Sequence, residues 1–471
     1  EIDRVDPSRS LLQYLREDRL LVGSKEGCAE GDCGACTVVV AELDGDELRC
    51  RAVNACIQFL PTLDGKALFT VESLKSAEGS LHPVQQSMVD YHGSQCGFCT
   101  PGFVMSMFAL YQTDSNPARE TIDDALSGNL CRCTGYRPII EACRHMQDYD
   151  EVQLPRQSVI EQLRGLKRDA GLAMTYPGRD YFAPVSIDEL ADYYLNNEQA
   201  RILAGGTDVG LWVTKQLREL PGIIYIGNVA ELQRIDETAA GLQIGAAVSL
   251  DDAFKSIAGA YPEFAEMFRR FASLPVRNAG TLVGNLANGS PIGDSMPALI
   301  AIGARVKLRQ GNNTRELALE DLYLDYMKNA LQAGEFIESV LIPARDEKLI
   351  LRCYKLSKRY DQDISAICAA FALRLDKGSI AEVCIAFGGM AAIPKRAALT
   401  EKSLLRNSWD EAALATASEA LAQDYSPLSD MRASADYRRR AAANLLRRFF
   451  LETRAQSPLR EDEVNVFAMP G

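Results

Sequence analysis

Cysteine spacing constrains this chain of 471 residues more than any other feature of its sequence. Ten of its 13 cysteines lie before residue 144, and eight of those form two tight groups. The members are Cys28, Cys33, Cys36 and Cys56 in the first cysteine group, and Cys96, Cys99, Cys131 and Cys133 in the second. The N-terminal residues contain no apolar signal core, so we expect a cytoplasmic protein whose thiols bind metal or stay free.

The first cysteine group predicts a [2Fe–2S] cluster. Cys28, Cys33 and Cys36 follow the spacing C-x4-C-x2-C inside GCAEGDCGACT, and Cys56 comes later, as in plant-type cluster sites. The glycines of this loop would allow backbone N–H groups to turn toward the sulfides. Zinc is the alternative, but structural zinc sites use C-x2-C pairs and fit the four-residue gap poorly.

The second cysteine group predicts another metal cluster, inside a helical unit. Cys96 and Cys99 lie in QCGFCTPG, and Cys131 and Cys133 lie in GNLCRCTGY, each pair just before a predicted helix. The positive ends of the two helix dipoles would stabilise a cluster anion. Zinc is the alternative on ligand count alone, whereas a C-x-C disulfide would be strained.

The remaining cysteines are predicted to be small core residues or structural thiols rather than ligands. They are Cys50, Cys143, Cys353, Cys368 and Cys384. The formal net charge is −13 and hydrophobic residues make up 47% of the chain, so a folded protein that repels nucleic acid is expected. No apolar run approaches the ~18–20 residues that cross a bilayer, so no membrane partner is expected.

Changes in hydrophobic periodicity divide the chain into five segments. Strand-like runs with glycine loops give way to predicted helices, then to a polar linker, and then to alternating strands and helices. The predicted bounds are 1–75, 76–150, 151–175 for the linker, 176–345 and 346–471.

Two glycine-rich loops in the fourth segment could bind a pyrophosphate. They are ILAGGTDVG (202–210) and TLVGNLANGSPIGD (281–294), and no strand is followed by the G-x-G-x-x-G of a Rossmann site. Backbone N–H groups of such loops bind phosphate oxygens, and Thr and Asn side chains add hydrogen bonds. Taken alone, each loop could also be an ordinary glycine turn.

Three motifs carry a resemblance to a known family. GCAEGDCGACTV, QCGFCTPGF and GNLCRCTGY resemble the iron–sulfur part of the molybdenum hydroxylases, the xanthine oxidase family, and the two glycine loops resemble its FAD-binding domain. The resemblance covers nearly the whole chain. It implies a multidomain α+β protein with a β-grasp plant-type ferredoxin domain, a four-helix [2Fe–2S] domain, a vanillyl-alcohol-oxidase-like FAD-binding domain and a C-terminal α+β flavoprotein subdomain.

The same resemblance implies which residues contact FAD. The two loops would line the pyrophosphate, Phe271 the adenine side and Asp294 the polar chain of the cofactor. The full set is Ile202, Leu203, Ala204, Gly205, Gly206, Thr207, Asp208, Val209, Phe271, Thr281, Leu282, Val283, Gly284, Asn285, Asp294, Ile337 and Lys355. Core packing is the alternative role for Phe271 and Ile337, and a solvated surface position is the alternative for Lys355.

The resemblance further implies an oxidoreductase that passes electrons from molybdenum through two [2Fe–2S] clusters to FAD and on to NAD⁺. The molybdopterin site, and with it the catalytic residues, would belong to a large partner subunit, because the chain stops where single-chain family members continue into that domain. A dimer of heterodimers is implied in the same way, and the opening strand of the ferredoxin sheet is expected to be absent. A free-standing NADH-dependent reductase is the alternative from another class.

Overall fold

A computed structural model describes residues 2–465 of the chain, which form two compact units. The first unit comprises the residues up to 233 together with 246–252 and 272–281. The second unit comprises 234–245, 253–271 and the described residues from 282 onward. Two short segments therefore return the chain to the first unit after it has entered the second.

A three-stranded sheet carries the first cysteine group. Its elements are the short helix α1 (Leu11–Gln13), which continues as a π-helical turn, and the strands β1 (Thr37–Asp44), β2 (Glu47–Asn54) and β3 (Ala67–Phe69), in the order β2–β1–β3. Successive side chains of a strand point to opposite faces, so β1 contributes to two cores. Val38 packs with Leu11 in one core, whereas Val39 and Ala41 pack in another with the helices that follow.

Four helices follow the sheet and carry the second cysteine group. They are α2 (Pro83–Asp90), α3 (Thr100–Tyr111), α4 (Arg119–Leu126) and α5 (Arg137–His145). Phe103 and Phe108 of α3 are buried in one hydrophobic core with Val39 of β1 and Ile139 of α5. The three-stranded sheet and the helices therefore share a core.

A further helix, α6 (Arg156–Leu166), lies where the sequence predicts only a polar linker. Ile160 and Leu163 are buried in the core shared by the sheet and the helices. Arg156 donates hydrogen bonds to the carbonyl oxygens of Leu48 and Gln112 at 3.0 and 2.9 Å. The helical pattern is weak in the sequence because only these two of the 11 residues are buried.

The first unit also contains a four-stranded sheet and three helices. They are β4 (Leu172–Tyr176), β5 (Arg179–Ala183), β6 (Arg201–Leu203), β7 (Gly222–Tyr225), α7 (Ile187–Asn196), α8 (Val209–Thr214) and α11 (Leu274–Ala279). The strand order is β4–β5–β7–β6, and β7 runs parallel to both of its neighbours. Phe59, which follows the first cysteine group, is buried in the core of this sheet with Tyr181 and Leu203.

Two antiparallel sheets form the second unit. The strands are β8 (Ile235–Thr238), β9 (Gly241–Gly245), β10 (Arg305–Gln310), β11 (Asn313–Ala318), β12 (Tyr323–Asp325), β13 (Lys328–Asn329), β14 (Phe336–Pro343), β15 (Ile350–Leu356), β16 (Ile367–Asp376), β17 (Ser379–Gly388) and β18 (Lys395–Arg396). The order is β11–β10–β14–β9–β8 in the larger sheet and β15–β16–β17–β18 in the smaller one, while β12 and β13 form a separate hairpin.

Eight helices accompany these sheets among the described residues. They are α9 (Leu250–Ala260), which begins in the first unit, α10 (Ala265–Arg269), α12 (Leu282–Asn288), α13 (Ser295–Ala301), α14 (Ala398–Leu404), α15 (Glu411–Asp424), α16 (Ala435–Thr453) and α17 (Glu461–Val464). Phe371 of β16 stacks on Phe449 of α16 at 5.0 Å between ring centroids. None of the helices among residues 2–465 combines the length and the apolar character that a membrane span requires.

Candidate metal and cofactor sites

The pairing of β1 with β2 brings two cysteines of the first group together. Cys36 ends the loop before β1, Cys56 follows β2, and the register places Thr37 opposite Asn54. The N–H of Ala55 donates to the Cys36 carbonyl oxygen at 3.3 Å. Both cysteines are 2% exposed, so the sheet itself holds two of the four sulfurs.

The loop before β1 supplies the other two sulfurs. The Cys28 sulfur contacts those of Cys33 and Cys56, and the Cys36 sulfur contacts that of Cys56. The N–H groups of Asp32 and Cys33 donate to the Cys28 sulfur at 3.3 Å each. Contact with Cys33 lowers the pKa of Cys28, and contact with Cys56 lowers the pKa of Cys36. The thiolate is the form that binds metal, so these downward shifts fit Cys28 and Cys36 as ligands.

Glycine is required at two positions for this loop to close around the sulfurs. Gly31 and Gly34 have φ angles of +78° and +69°, a region that favours glycine. A Cβ atom on Gly34 would also lie 2.2 Å from the carbonyl oxygen of Gly128. Gly34 therefore permits both the turn of the loop and the close approach of the segment that leads to Cys131.

The second cysteine group lies where two helices begin. Cys99 directly precedes α3, and Cys131 and Cys133 lie shortly before α5, as the sequence predicts. The Cys96 sulfur contacts that of Cys133, and the Cys99 sulfur contacts that of Cys131. Burial, with contact to Cys131, raises the pKa of Cys99 to about 12. Burial also raises the pKa of Cys131, but hydrogen bonds led by Thr134 outweigh it, and the net shift is downward.

Both groups fit a two-iron cluster. The four sulfurs of the second group meet as two contacting pairs, and those of the first group form one run of contacts from Cys33 through Cys28 and Cys56 to Cys36. A [2Fe–2S] cluster takes four such sulfurs, two on each iron. Within residues 2–465, no three or more His, Cys, Asp or Glu side chains are arranged to hold a single metal ion. In both groups, the four cysteines that a [2Fe–2S] cluster requires therefore lie together.

A backbone hydrogen bond joins the two cysteine groups. The N–H of Leu130, which precedes Cys131, donates to the carbonyl oxygen of Cys33 at 3.0 Å. Beside it, Asn129 donates from Nδ2 to the carbonyl oxygen of Gly34 at 3.1 Å, and its side chain is buried. The loops that carry the two groups are thus in direct contact.

The first glycine loop leads from β6 to α8 in the first unit. Gly206, with a φ of +73°, turns the chain, and burial raises the pKa of Asp208 just before α8. A Cβ atom on Gly205 would lie 1.8 Å from the carbonyl oxygen of Ala279. Ser249 forms a β-bridge with Thr281, the first residue of the second loop. The structure thus packs the backbone of the first loop closely against the residues just before Thr281, and a phosphate-binding role for the two loops stays a prediction.

In the second unit, Asp294 and Lys355 form a buried ion pair. The Lys355 ammonium donates to Asp294 Oδ2 at 2.5 Å and to the Ser365 hydroxyl at 2.9 Å, and the paired side chains are 3% and 2% exposed. Among the described residues, Asp294 Oδ1 has no hydrogen-bond partner although it is buried. Native proteins rarely leave such an atom unpaired, so Asp294 fits a donor group of a bound ligand. This placement rules out the surface alternative for Lys355.

The other predicted flavin contacts of the second unit lie around this pair or in the core. Asn285 accepts a hydrogen bond from the Ser295 hydroxyl, next to Asp294, at 2.5 Å, and Leu282, Val283 and Gly284 share its helix α12. Ile337 is 4% exposed on β14. Phe271 packs edge-on against Phe254 at 5.3 Å between ring centroids. A cofactor contact by Ile337 or Phe271 stays a prediction.

Helix α8 contacts the loops of the first cysteine group at two points that the sequence does not predict. A Cβ atom on Gly210 would lie 2.7 Å from the carbonyl oxygen of Ile57. The Thr214 hydroxyl donates to the carbonyl oxygen of Ala29 at 2.7 Å. Ile57 and Ala29 each follow a cysteine of the first group. The helix after the first glycine loop is therefore packed on the loops that hold this group.

Sequence analysis does not identify three polar residues that lie near the cysteine groups. They are Asn54, Asn129 and Arg277. The two asparagines stand beside the cysteine motifs, in VNAC and GNLC, which is the one signal that could have indicated them. Arg277 has no such signal, yet it is 3% exposed and pairs with Asp124 at 2.7 Å.

Four family models match the chain in sequence order. Their descriptions are 2Fe-2S iron-sulfur cluster binding domain for 1–60, [2Fe-2S] binding domain for 70–144, FAD binding domain in molybdopterin dehydrogenase for 174–345, and CO dehydrogenase flavoprotein C-terminal domain for 352–453. The matches confirm the predicted fold class. They also confirm that the chain carries two iron–sulfur domains and an FAD-binding domain.

Curated relatives match most of this chain. Xanthine dehydrogenase of Emericella nidulans is 30% identical over 98% of the chain, and xanthine dehydrogenase of Drosophila subobscura is 32% identical over 88%. The matches cover 38% and 35% of those relatives, so the chain spans somewhat more than a third of their length.

Solved structures match more than half of this chain. Carbon monoxide dehydrogenase from Hydrogenophaga pseudoflava matches with a TM-score of 0.54 and 27% identity, over 57% of this chain and 94% of the solved one. Quinoline 2-oxidoreductase from Pseudomonas putida 86 matches with a TM-score of 0.53 and 25% identity, over 60% of this chain and 97% of the solved one.

Proposed function

This chain belongs to the molybdenum hydroxylase family by its four domains, and from that premise we propose that it is the electron-transfer subunit of a bacterial-type two-chain xanthine dehydrogenase. Its partner is a large molybdopterin-binding subunit that oxidises hypoxanthine and xanthine to urate. The final acceptor is NAD⁺, and two copies of each chain form a heterotetramer in the cytoplasm.

The extent of the matches supports the xanthine type. The relatives named xanthine dehydrogenase align with up to 98% of this chain, whereas the solved carbon monoxide dehydrogenase chain aligns with 57% of it. A single chain that joins both iron–sulfur domains to the flavin domains is thus the arrangement of the former relatives. A carbon monoxide, aldehyde or hydroxybenzoyl-CoA type of the same family is the second candidate, favoured by the match of the flavin domains.

The observation that carries the proposal is the hydrogen bond from Leu130 to Cys33. It connects a ligand of the first group directly to the neighbour of a ligand of the second. A Cβ atom on Gly102 would lie 2.1 Å from the carbonyl oxygen of Gly34, so α3, which follows Cys99, also packs closely on the first loop. Such close packing of the two cysteine groups supports electron transfer between the clusters that they would bind.

The chain would have three cofactor sites: two for [2Fe–2S] clusters and one for FAD. The [2Fe–2S] clusters supply one-electron chemistry when bound, and FAD converts it to two-electron chemistry. The eight cysteines would bind the irons, and the backbone of Ile202–Val209 would bind phosphate oxygens through its N–H groups. Asp294 would accept a hydrogen bond from the cofactor, and Lys355 holds that carboxylate in position.

The exposure of the cysteines indicates which of the two groups faces the partner subunit. Cys96 and Cys133 are exposed, and Phe98 and Tyr136 beside them are 46% and 38% exposed. We assign this surface to the partner subunit, because exposed aromatic side chains are typical of protein interfaces. The first group, which packs on α8 after the glycine loop, then lies on the flavin side.

Replacing Cys131 tests this order of sites. Cys131→Ser is expected to abolish turnover from xanthine to NAD⁺, because the second cluster loses a ligand, and to leave NADH-driven dye reduction at the flavin largely intact. Cys143→Ala is the matched control, since Cys143 is buried in α5 away from the ligand loops. Loss of dye reduction in a folded Cys131→Ser protein would show that the sites are not separate.

The substrate is tested on the complex isolated from its native cells. We expect anaerobic xanthine, with no other acceptor, to bleach the iron–sulfur and flavin absorbance. Bleaching by NADH but not by xanthine would leave the cofactors in place and overturn the xanthine assignment. Isolation of an active chain without any partner would instead favour a free-standing NADH-dependent reductase.

A further inference from the structure

Asn54 lies at the end of β2, two residues before Cys56, and is 2% exposed. Its amide group faces the loop that carries Cys28, Cys33 and Cys36. The Cys36 sulfur lies beside the amide, and a Cβ atom on Gly31 would lie 3.7 Å from Asn54 Oδ1. The side chain therefore lies against the ligand loop of the first cysteine group.

Neither end of this amide makes a hydrogen bond of ordinary geometry. Apart from the contact of the amide with the Cys36 sulfur, Nδ2 and Oδ1 are buried without a hydrogen-bond partner, and no other side chain in the described part of the chain has two such atoms. Folded proteins pair nearly all buried polar groups, so a doubly unpaired amide indicates a bound group at this place. Packing alone does not explain why asparagine occupies this position, because an apolar side chain of similar size would fill the space without unpaired polar atoms.

The chemistry of the neighbours decides which atom faces the bound group. Thiolate and sulfide sulfurs accept hydrogen bonds and cannot donate them, so the amide nitrogen is the atom that can pair with them. A donor near a cluster sulfur stabilises the reduced form, which carries one more negative charge, and so raises the reduction potential.

We propose that Asn54 donates a hydrogen bond from its amide nitrogen to a sulfur of the cluster bound by the first cysteine group, and that this bond sets the reduction potential of that cluster. The proposal rests on the proposed function only because it requires the first cysteine group to bind a cluster. Asn54 is thus a tuning residue that sequence spacing does not identify as a ligand.

The test is a redox titration of the holoenzyme, followed by the electron paramagnetic resonance signals of the two clusters. In Asn54→Leu, which keeps the branched shape of the side chain and removes the donor, the midpoint potential of the first cluster is expected to fall. A tenfold change in its reduction equilibrium corresponds to about 59 mV for one electron. The second cluster is the internal control and is expected to be unchanged. Asn54→Thr, which restores a donor, is expected to recover part of the shift.

A measurement on the unmodified protein covers the case in which Asn54→Leu fails to bind iron. With asparagine labelled by ¹⁵N in the side-chain amide, the reduced first cluster is expected to show a coupling to that nitrogen. Absence of the coupling, or an unchanged potential in Asn54→Leu at full iron content, would overturn the proposal. If wild-type protein has clusters that xanthine does not reduce, the proposed function fails while the result for Asn54 stands. If the wild-type protein has no clusters, both the proposed function and the proposal for Asn54 fail.

Discussion

At the scale of the residue, His82 shows how the helical domain depends on a neutral side chain. It precedes α2, is 4% exposed, and its ring lies 5.3 and 5.0 Å from the rings of Phe108 and Tyr111. Its Nδ1 accepts a hydrogen bond from the N–H of Val84 at 3.3 Å and so caps the helix. Burial lowers the pKa of His82 to about 4. Protonation would remove the acceptor and leave a buried charge.

This lowered pKa predicts a pH dependence of stability. An unfolded histidine titrates near 6.5, so the folded state is favoured fully above that pH and loses stability as the pH falls from about 6.5 toward 4. From pH 8 to pH 5 we expect a loss of about 2 kcal/mol in the free energy of unfolding. Chemical denaturation of wild type and His82→Asn measures it, because Asn keeps a capping oxygen and cannot become charged. An equal loss in both proteins would contradict the prediction.

At the scale of the element, α8 joins the first glycine loop to the loops of the first cysteine group. Its contacts are made through Gly210 and Thr214, which reach backbone carbonyl oxygens rather than side chains. Backbone cannot rearrange as a side chain can, so the spacing between the two loops depends on glycine at position 210.

Gly210→Ala is expected to destabilise the first unit by about 1–3 kcal/mol, because its Cβ would overlap the backbone of Ile57. The matched control is Gly259→Ala in α9, where nothing lies within 4 Å of the added Cβ. There the better helix propensity of alanine is expected to stabilise by about 0.5–1 kcal/mol. Denaturation followed by far-ultraviolet circular dichroism measures both. Equal effects of the two substitutions would show that the packing on Ile57 is not tight.

At the scale of the whole molecule, the segment 272–281 ties three parts of the first unit together. Arg277 of α11 pairs with Asp124 of α4 at 2.7 Å and with Asp251 at 3.6 Å. Asn278 donates from Nδ2 to the carbonyl oxygen of Ala52 on β2 at 3.0 Å. A stretch that is distant in sequence from both cysteine groups thus contacts the domains that hold them.

Removing Arg277 tests this connection. Arg277→Met is expected to lower the free energy of unfolding of the first unit by about 3 kcal/mol, because it leaves the partly buried Asp124 without its partner. The control is Arg119→Met on α4, which breaks the exposed pair with Asp123 and is expected to cost under about 1 kcal/mol. Denaturant midpoints measure both. A cost for Arg277→Met no larger than the control would contradict a structural role for the buried pair.

Prediction from sequence succeeds where local spacing carries the information. The two cysteine groups, the helices that follow Cys99 and Cys133, and the glycine loops are each contained in a short stretch, so a motif identifies them. Helix α6 is missed because its buried face has only Ile160 and Leu163. The apolar run of β1 is visible in the sequence, but its division between two cores is not, because each face is buried by a partner distant in the chain.

The sequence by itself determined the four domains, the order in which they occur and the eight cysteines predicted to bind iron. Only the tertiary structure decided which sulfurs pair, that Leu130 bonds to Cys33, that Lys355 is buried on Asp294 and that Asn54 faces the first group without a partner. The physical reason is the separation along the chain over which each interaction acts. Ligand spacing and turn-forming glycines act within a few residues, whereas these contacts join segments brought together by burial of a common core, which no local pattern encodes.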